Sequence, residues 1–324
     1  MRCFVGDTGF NLYTLNRKLL YIINPIAGNG SRGSLRKHIE ERTQKAGYDF
    51  ECHDSAIDGI YDHLESRLLR ENFTDIVIAG GDGTVNQVVG ALRHLDLPFG
   101  IIPCGSGNGL ARAAKLSTDS SKALDTIFTG SAMRTDGYTV NGNFACELTG
   151  LGFDGAVAHA YANSDTRGLN TYIKHAIKQF ASAPSYQFTV RVLGQEISLD
   201  AYMITVANAD QFGNKVTIAP HASLSDGLLD VVIVKKQNKL PLLWRAYQQL
   251  SGRNRPLRGE EIVASLSSGA QQQDIHYWQV ASIEIENLGG AMIHVDGEAT
   301  PRASRVTIEV IAKSFRLITP DSLR

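Results

Sequence analysis

The chain has 324 residues, of which 43% are hydrophobic and 20% are charged, and its formal net charge is -1. This is a globular composition with enough apolar material for about two domains, and the near-neutral charge excludes a global field that would draw the molecule to nucleic acid or membrane. No apolar run approaches the ~20 residues that span a bilayer. The four cysteines lack metal-ligand or redox spacing and no secretory signal is visible, so we expect reduced thiols in a cytoplasmic protein.

The first part of the chain repeats one local pattern three times. Short apolar runs at 19–23, 76–79 and 99–103 are each followed by a glycine-rich loop and then by a helical segment. Continuous apolar runs of this length are typical of buried parallel strands. Three strand–loop–helix units predict an α/β layer with a mainly parallel sheet.

After Asp136 the pattern changes to the two-residue alternation of half-buried strands. Asn141-Gly142 is a two-residue hairpin signal, and alternating runs follow at 188–192, 197–199, 282–285 and 306–310. Apolar residues at helical spacing over 169–180 predict one interrupting helix. The second domain is therefore predicted to be β-rich, a sandwich that begins near residue 136.

The first glycine-rich loop, Gly28–Gly33, matches G-x-G-x-x-G, with Asp49 and Glu51 near the place of a ribose-binding acid. Alone it would suggest a Rossmann dinucleotide site. Asn24-Pro25 separates the strand from these glycines, and the two later loops have no role in that fingerprint. A Rossmann dehydrogenase is therefore the weakest hypothesis.

The second loop, Gly80–Thr84, places the carboxylate of Asp82 among glycines at the start of a helix, where free N–H groups favour phosphate. A carboxylate there repels phosphate unless a metal ion bridges the two, so Asp82 indicates Mg²⁺ on a nucleoside triphosphate. The alternative is a helix N-cap aspartate. The third loop, Gly105–Gly109, adds more amides, and no G-x-x-x-x-G-K-[ST] sequence indicates a P-loop enzyme.

Six motifs in order resemble the signatures of the diacylglycerol/sphingosine lipid kinase superfamily, most closely its bacterial soluble members. They are Asn24-Pro25 with Gly28, then residues 80–86, 103–112, 150–154, 225–230 and 295–298. The resemblance runs from about residue 18 to the end. It implies an N-terminal phosphofructokinase/NAD-kinase-like α/β nucleotide-binding domain (17–135, rejoined by about 312–324) and a C-terminal β-sandwich domain for the lipid substrate (136–311).

The resemblance also implies a function, an ATP- and Mg²⁺-dependent lipid kinase that phosphorylates a lipid hydroxyl, on diacylglycerol or a sphingoid base. Glu298 matches the general base, and Asp82 would organise Mg²⁺ as a second catalytic residue. Asp226 resembles the superfamily's further divalent-cation site, although Asp-Gly is also a common turn, and Asp154 is the acidic residue seen in diacylglycerol-type enzymes. ATP would be bound by Asn24, Gly28, Gly80, Gly81, Gly83, Thr84, Gly105, Ser106, Gly107 and Asn108.

Two departures keep alternatives open. Gln87 stands where the superfamily usually has Glu, so activity would fall if that carboxylate balances charge near Mg²⁺ and would persist if it only packs. Ala156 replaces the acidic head-group residue of sphingosine kinases, yet the third loop reads more like the sphingosine branch. The alternatives are a kinase of a soluble acceptor such as NAD and a catalytically silent nucleotide or lipid sensor.

A basic segment bears on membrane contact. Lys235–Arg258 contains seven basic residues and no acidic one, interspersed with leucines and Trp244. This composition favours docking to an anionic lipid surface and peripheral membrane association, the alternative being a solvated helix whose leucines face the core. No nucleic-acid-binding module surrounds the segment. The oligomeric state stays open, although an unpaired edge strand would offer a homodimer interface.

Overall fold

The computed structural model describes residues 17–26, 32–162, 183–210, 217–237, 253–267 and 274–321. Up to residue 140, strands and helices alternate. The strands are β1 (Lys18–Ile23), β2 (Asp49–Asp54), β3 (Asp75–Gly80), β4 (Pro98–Pro103) and β5 (Ser131–Val140). The helices are α1 (Arg32–Ala46), α2 (Asp62–Arg70), α3 (Asp82–Leu92), α4 (Gly109–Ala113) and α5 (Ser120–Thr129), with a 3₁₀ turn at Arg93–Leu95.

The remaining described residues are mostly strands, joined by helices α6 (Phe153–Ala162) and α7 (Glu260–Ser267). The strands are β6 (Asn143–Ala145), β7 (Leu148–Gly152), β8 (Tyr186–Val192), β9 (Gln195–Ala207), β10 (Leu229–Lys235), β11 (Leu257–Arg258), β12 (Ile275–Val280), β13 (Ser282–Asn287), β14 (Ile293–Val295), β15 (Glu298–Thr300) and β16 (Arg305–Thr319).

Strands β4, β3, β1 and β2 lie side by side in that order, and all pairs are parallel. Alternate side chains of β1 and β3 enter two separate cores, so both faces of the sheet are buried. Leu20 and Ile78 pack with α2 and α3, whereas Tyr21 and Val77 pack with α1 and α5. The predicted α/β layer is confirmed. Because the strands are parallel, the loops after β1, β3 and β4 all leave from one edge, where α/β proteins bind ligands.

The edge strand β2 and helix α2 have no counterpart among the apolar runs of the sequence. Strand β2 reads Asp-Phe-Glu-Cys-His-Asp and is only partly buried. Glu51, which stands near the place of a ribose-binding acid, instead accepts a hydrogen bond from Arg67 Nη2 at 2.5 Å. This ion pair gives Glu51 a structural partner and weakens the Rossmann interpretation further.

Downstream of β6 the pairing becomes mainly antiparallel. Strand β9 pairs with β7, β8 and β10, and β13 joins β8 to β16. Phe188, Ile204, Val231, Trp278 and Ile285 from five of these strands meet in one buried cluster. The β-rich sandwich predicted from period-two alternation is confirmed. The Asn141-Gly142 turn joins β5 to β6, and both residues have positive φ, as a type I′ hairpin requires.

The last strand connects the two halves of the molecule. Strand β16 runs antiparallel to β13 near Ile308 and parallel to β4 at Arg316 and Leu317. Its register against β5 shifts between Ile311 and Phe315. The carboxylate of Asp136 accepts the backbone N–H of Lys313 at 2.6 Å within this shift. The exact domain boundaries stay a prediction, since β5 and β16 each extend across both halves.

A buried carboxyl in the β-rich half gives a prediction for stability against pH. Asp230 accepts hydrogen bonds from Tyr277 Oη at 2.5 Å and Gln279 Nε2 at 2.9 Å, yet burial raises the pKa of its carboxyl from 3.8 to about 6. The folded state therefore binds this proton more tightly than the unfolded state. The protonated carboxyl of Asp230 contributes its full stabilisation below about pH 4. This contribution declines by ~3 kcal/mol as the pH rises to about 6.

Between pH 4 and pH 7, we expect the unfolding free energy of Asp230→Asn to rise by ~3 kcal/mol relative to that of the wild type. Denaturant titrations across this range measure it. The exposed Asp200→Asn on β9 is the matched control and should track the wild type. A wild-type-to-variant difference that stays constant with pH would contradict the assignment.

Two sequence features fall wholly or mostly outside the described residues. The predicted helix over 169–180 is one, and residues 238–252 of the basic segment are the other. Within the described part of the chain, no helix has the length and apolar character needed to cross a membrane.

Candidate active site

The second and third glycine loops are in direct backbone contact. The N–H of Cys104 donates to the carbonyl of Gly80 at 2.8 Å. A Cβ placed on Gly105 would lie 2.6 Å from Cα of Gly81, closer than any side chain tolerates. Glycine at both positions is therefore what lets the N-terminus of α3 lie against the loop after β4.

This contact predicts a large effect from one methyl group. Gly105→Ala must push the two loops apart, and overpacking of this kind costs ~1–3 kcal/mol. If the loops bind ATP, affinity should fall by about 10- to 100-fold in calorimetric titrations. Gly33→Ala in α1 is the matched control, because no atom of the described residues lies within 4 Å of its added Cβ. Equal ATP affinity in the two variants would contradict this arrangement.

Asp82 joins the same two loops through its side chain. Its carboxylate accepts the N–H of Asn108 at 2.7 Å and the N–H of Gly109 at 2.9 Å, at the start of α4. Both partners belong to another loop, so Asp82 satisfies donors of α4 while it occupies the first turn of α3. The N-cap alternative is thus realised on the neighbouring helix, because Asp82 accepts the N–H groups at the start of α4.

Two other residues that were predicted to bind nucleotide form side-chain hydrogen bonds within the protein. The buried side chain of Asn108 closes its own loop, accepting from the N–H of Gly105 at 2.9 Å and donating to the Gly105 carbonyl at 2.8 Å. Asn24 Nδ2 donates to Thr84 Oγ1 at 2.9 Å and so ties the end of β1 to α3. Ser106 is exposed on the third loop with Gly107 half-buried beside it, whereas Gly28 lies outside the described residues.

Glu298 is held at the same place by a hairpin. Strands β14 and β15 are joined by Asp296-Gly297, whose φ angles of 49° and 81° are those of a type I′ turn, and Glu298 is the first residue of β15. Its Oε1 lies 3.1 Å from where a Cβ of Gly83 would be. The exposed carboxylate of Glu298 therefore contacts the first turn of α3, one residue from Asp82.

Asp296 is a functional candidate that we did not assign from the sequence. Its buried carboxylate accepts the N–H groups of Cys146, Glu147 and Leu148 at 2.9, 2.9 and 3.0 Å. The Asn86 amide on α3 donates to it at 2.6 Å, and Tyr138 Oη donates at 3.3 Å. An Asp-Gly pair is typical of a turn, but nothing in the sequence indicates these distant donors.

Glu147 is a second carboxyl that sequence reasoning missed. It is 4% exposed, and burial, followed by the neighbouring carboxylate of Asp82, raises its pKa well above the ordinary range. Its side chain lies within hydrogen-bonding contact of Asp82. Burial therefore favours the neutral form of the Glu147 carboxyl, next to Asp82. Its position in an apolar strand region gave no periodic signal.

Asp154 is placed inside the β-rich half. Its carboxylate is buried, accepts from Thr205 Oγ1 at 2.6 Å and lies 3.8 Å from His294 Nε2. A Cβ on Gly150 would lie 2.1 Å from Asp154 Oδ2, which explains the glycine in this motif. These contacts assign Asp154 a packing role, and its contact with a lipid head group stays a prediction.

Asp226 lies in the turn before β10. Burial, and to a lesser degree the nearby Asp136, raise the pKa of its carboxyl, while Arg258 lies 3.7 Å away. Among the described residues, no three His, Cys, Asp or Glu side chains form a group that could hold a metal ion. A cation at Asp226 stays a prediction.

The donors around Asp82 fit Mg²⁺. This ion prefers one or two carboxylates together with phosphate oxygens and water. Asp82 supplies a carboxylate at the start of α3, Glu147 contacts it, and Glu298 lies on the other side of Gly83. Gln87, which replaces the usual Glu, is exposed, and its side chain packs against Gly59 in the loop between β2 and α2.

Both halves of the chain match the models of known protein families. Residues 18–140 match the model of the diacylglycerol kinase catalytic domain, and residues 148–319 match that of the YegS C-terminal NAD kinase beta sandwich-like domain. The chain is 29% identical over 290 residues to a diacylglycerol kinase of Bacillus subtilis (strain 168), covering 86% of this chain and 88% of that protein. It is 24% identical to a diacylglycerol kinase of Staphylococcus carnosus (strain TM300), covering 88% and 89%.

Solved structures share the fold. The crystal structure of a diacylglycerol kinase from Bacillus anthracis str. Sterne superposes with a TM-score of 0.67 at 19% identity, covering 95% of this chain and 98% of that chain. At this identity the likeness establishes the architecture alone.

Proposed function

Because the chain belongs to the family that joins a diacylglycerol kinase catalytic domain to a YegS-type C-terminal domain, and is thus a lipid kinase, we propose that it transfers the γ-phosphate of ATP to the hydroxyl of diacylglycerol in an Mg²⁺-dependent reaction. The observation that carries the proposal is the contact of Glu298 with the first turn of α3. A potential general base therefore lies beside the helix N-terminus that we propose binds phosphate.

The chemistry assigns each group a step. Glu298 accepts the proton of the lipid hydroxyl as its oxygen forms a bond to the γ-phosphorus. The bond between that phosphorus and the β-γ bridging oxygen breaks, and ADP leaves with the electron pair. Backbone N–H groups of α3 and the third loop orient the phosphates. When bound, Mg²⁺ would be held by Asp82 and would neutralise charge on the phosphate oxygens.

The sphingoid bases remain the second lipid class in this proposal, because the third loop resembles the sphingosine branch. A soluble acceptor is a second candidate function, favoured by the match of residues 148–319 to an NAD kinase beta sandwich-like domain. The Asp296-Gly297-Glu298 hairpin and the third loop favour the lipid acceptor.

The test is a set of parallel reactions with Mg²⁺ and γ-labelled ATP. Mixed micelles carry diacylglycerol, sphingosine or dihydrosphingosine, and a separate reaction contains NAD. We expect label in phosphatidic acid. Label in NADP alone would replace the lipid acceptor by a soluble one. Binding of ATP without transfer to any acceptor would favour the silent sensor, and Gln87→Glu would then test whether the lost carboxylate is the cause.

Anionic membrane docking through Lys235–Arg258 belongs to the same proposal. A lipid kinase must contact the bilayer that holds its substrate, and each basic residue near an anionic surface contributes up to ~1 kcal/mol. Cosedimentation with vesicles containing anionic lipid should exceed that with neutral vesicles and should weaken with salt. Equal binding to both would remove this segment from the proposal.

A further inference from the structure

The carboxylate of Asp296 accepts hydrogen bonds from several parts of the chain. Asp296 belongs to the hairpin that carries Glu298, but every donor to its carboxylate comes from elsewhere in the chain. Three are consecutive backbone N–H groups of residues 146–148, and the shortest contact is the 2.6 Å hydrogen bond from Asn86. The carboxylate thus joins the hairpin, helix α3 and the segment that leads into β7.

Each of these three elements carries an acidic group of the candidate site. The hairpin carries Glu298, two residues after Asp296. Helix α3 carries Asp82, one turn before Asn86. The segment 146–148 carries Glu147, whose side chain contacts Asp82. Asn86 also donates to the carbonyl of Phe144 at 3.3 Å, so both bonds of its amide fix α3 against the strands of the other half.

We propose, on the basis of the proposed kinase function, that Asp296 and Asn86 are positioning residues, which through their hydrogen bond hold the base Glu298 in register with Asp82 across the two halves of the molecule. Neither residue is assigned a contact with ATP or lipid. Their effect is geometric, since a misplacement of about 1 Å between reacting groups costs on the order of 100-fold in rate.

Asn86→Ala is the informative variant, because Asp296 keeps its five other donors and the fold should persist. We expect kcat to fall by about 10- to 100-fold while KM for ATP changes by less than about threefold. Asn143→Ala, at an exposed position on β6, is the matched control and should retain wild-type kinetics. A kcat of Asn86→Ala within twofold of the wild type would overturn the proposal, as would a rise in KM for ATP that accounts for the whole loss.

A pair exchange keeps the test decisive if Asn86→Ala folds poorly. Asn86→Asp sets two carboxylates against each other and should lower both kcat and the thermal unfolding midpoint. In the double variant Asn86→Asp/Asp296→Asn, the new amide can donate to the new carboxylate, so both quantities should recover in part. No recovery of either would overturn the pairing.

Failure of the proposed function would be recognised separately. If the wild type phosphorylates no lipid, the kinase assignment fails before any variant is compared. The unfolding midpoints of the exchange series then still test whether Asn86 and Asp296 interact.

Discussion

Replacing Glu298 with Gln should lower kcat by about 10²- to 10⁴-fold, the usual contribution of a general base. The amide keeps the size of the side chain and its contact beside Gly83, but it cannot accept the proton of the lipid hydroxyl. Because Glu298 is exposed and begins a short strand, the loss of its charge should leave the fold unchanged. The affinity for ATP should stay close to that of the wild type.

Steady-state kinetics with ATP and a lipid acceptor measure this effect. Glu309→Gln is the matched control, since Glu309 is exposed on β16, in the strand that pairs with β13 and β5. It should retain wild-type turnover. If Glu298→Gln kept more than about a third of the wild-type kcat, another group would have to take the proton.

Replacing Asp82 with Ala should have the second large effect, and it should act in two ways. The variant loses two charge-assisted hydrogen bonds to the N–H groups of Asn108 and Gly109, which should cost ~1–3 kcal/mol of stability and loosen the third loop. It also loses the carboxylate proposed to hold Mg²⁺, which is worth several kcal/mol in the transition state. We expect turnover to fall by more than ~100-fold.

The two contributions separate in Asp82→Asn. The amide oxygen can still accept one of the two N–H groups, so stability should lie between that of the wild type and that of Asp82→Ala, while turnover should stay low. Thermal unfolding and kinetics on the three proteins provide the comparison. Wild-type turnover in Asp82→Asn would show that the charge is dispensable and that Asp82 only shapes the loop.

The sequence predicted the elements that have a local signature. Apolar runs mark β1, β3 and β4 because strands buried on both faces must be apolar throughout. Glycines identify the second and third loops in the sequence because the backbones of these loops are in contact at Gly81 and Gly105. The Asp-Gly pair marks the hairpin before Glu298 because only such residues readily adopt positive φ at both turn positions.

The features that could not be predicted depend on contacts between residues that are far apart in the sequence. Asp296 receives hydrogen bonds from residues about 150 and 210 positions away, and no pattern in the sequence reports that pairing. Glu147 is a buried acid whose only warning is a charge within an otherwise apolar stretch. Strand β2 is a polar edge strand and so lacks the apolar run that revealed its neighbours.

Side-chain direction was the other limit. Asn108 was predicted from its motif to bind nucleotide; its side-chain amide hydrogen-bonds to Gly105, and the nucleotide contact stays a prediction. Asp154 was predicted from its motif to bind the lipid substrate; its carboxylate is buried against Thr205 and near His294, and the lipid contact stays a prediction. Motif resemblance places a residue near a site but does not give the rotamer of its side chain. The rotamer decides whether the side chain contacts the ligand or forms hydrogen bonds within the protein.

The central claim is that this chain moves the γ-phosphate of ATP to a lipid hydroxyl with Glu298 as the base. The most direct measurement is the label recovered in the lipid phase after incubation of γ-labelled ATP, Mg²⁺ and diacylglycerol micelles with the wild type and with Glu298→Gln. We predict labelled phosphatidic acid from the wild type and a loss of about 10²- to 10⁴-fold in the variant. No labelled lipid from the wild type, with diacylglycerol or with a sphingoid base, while ATP still binds, would contradict the claim.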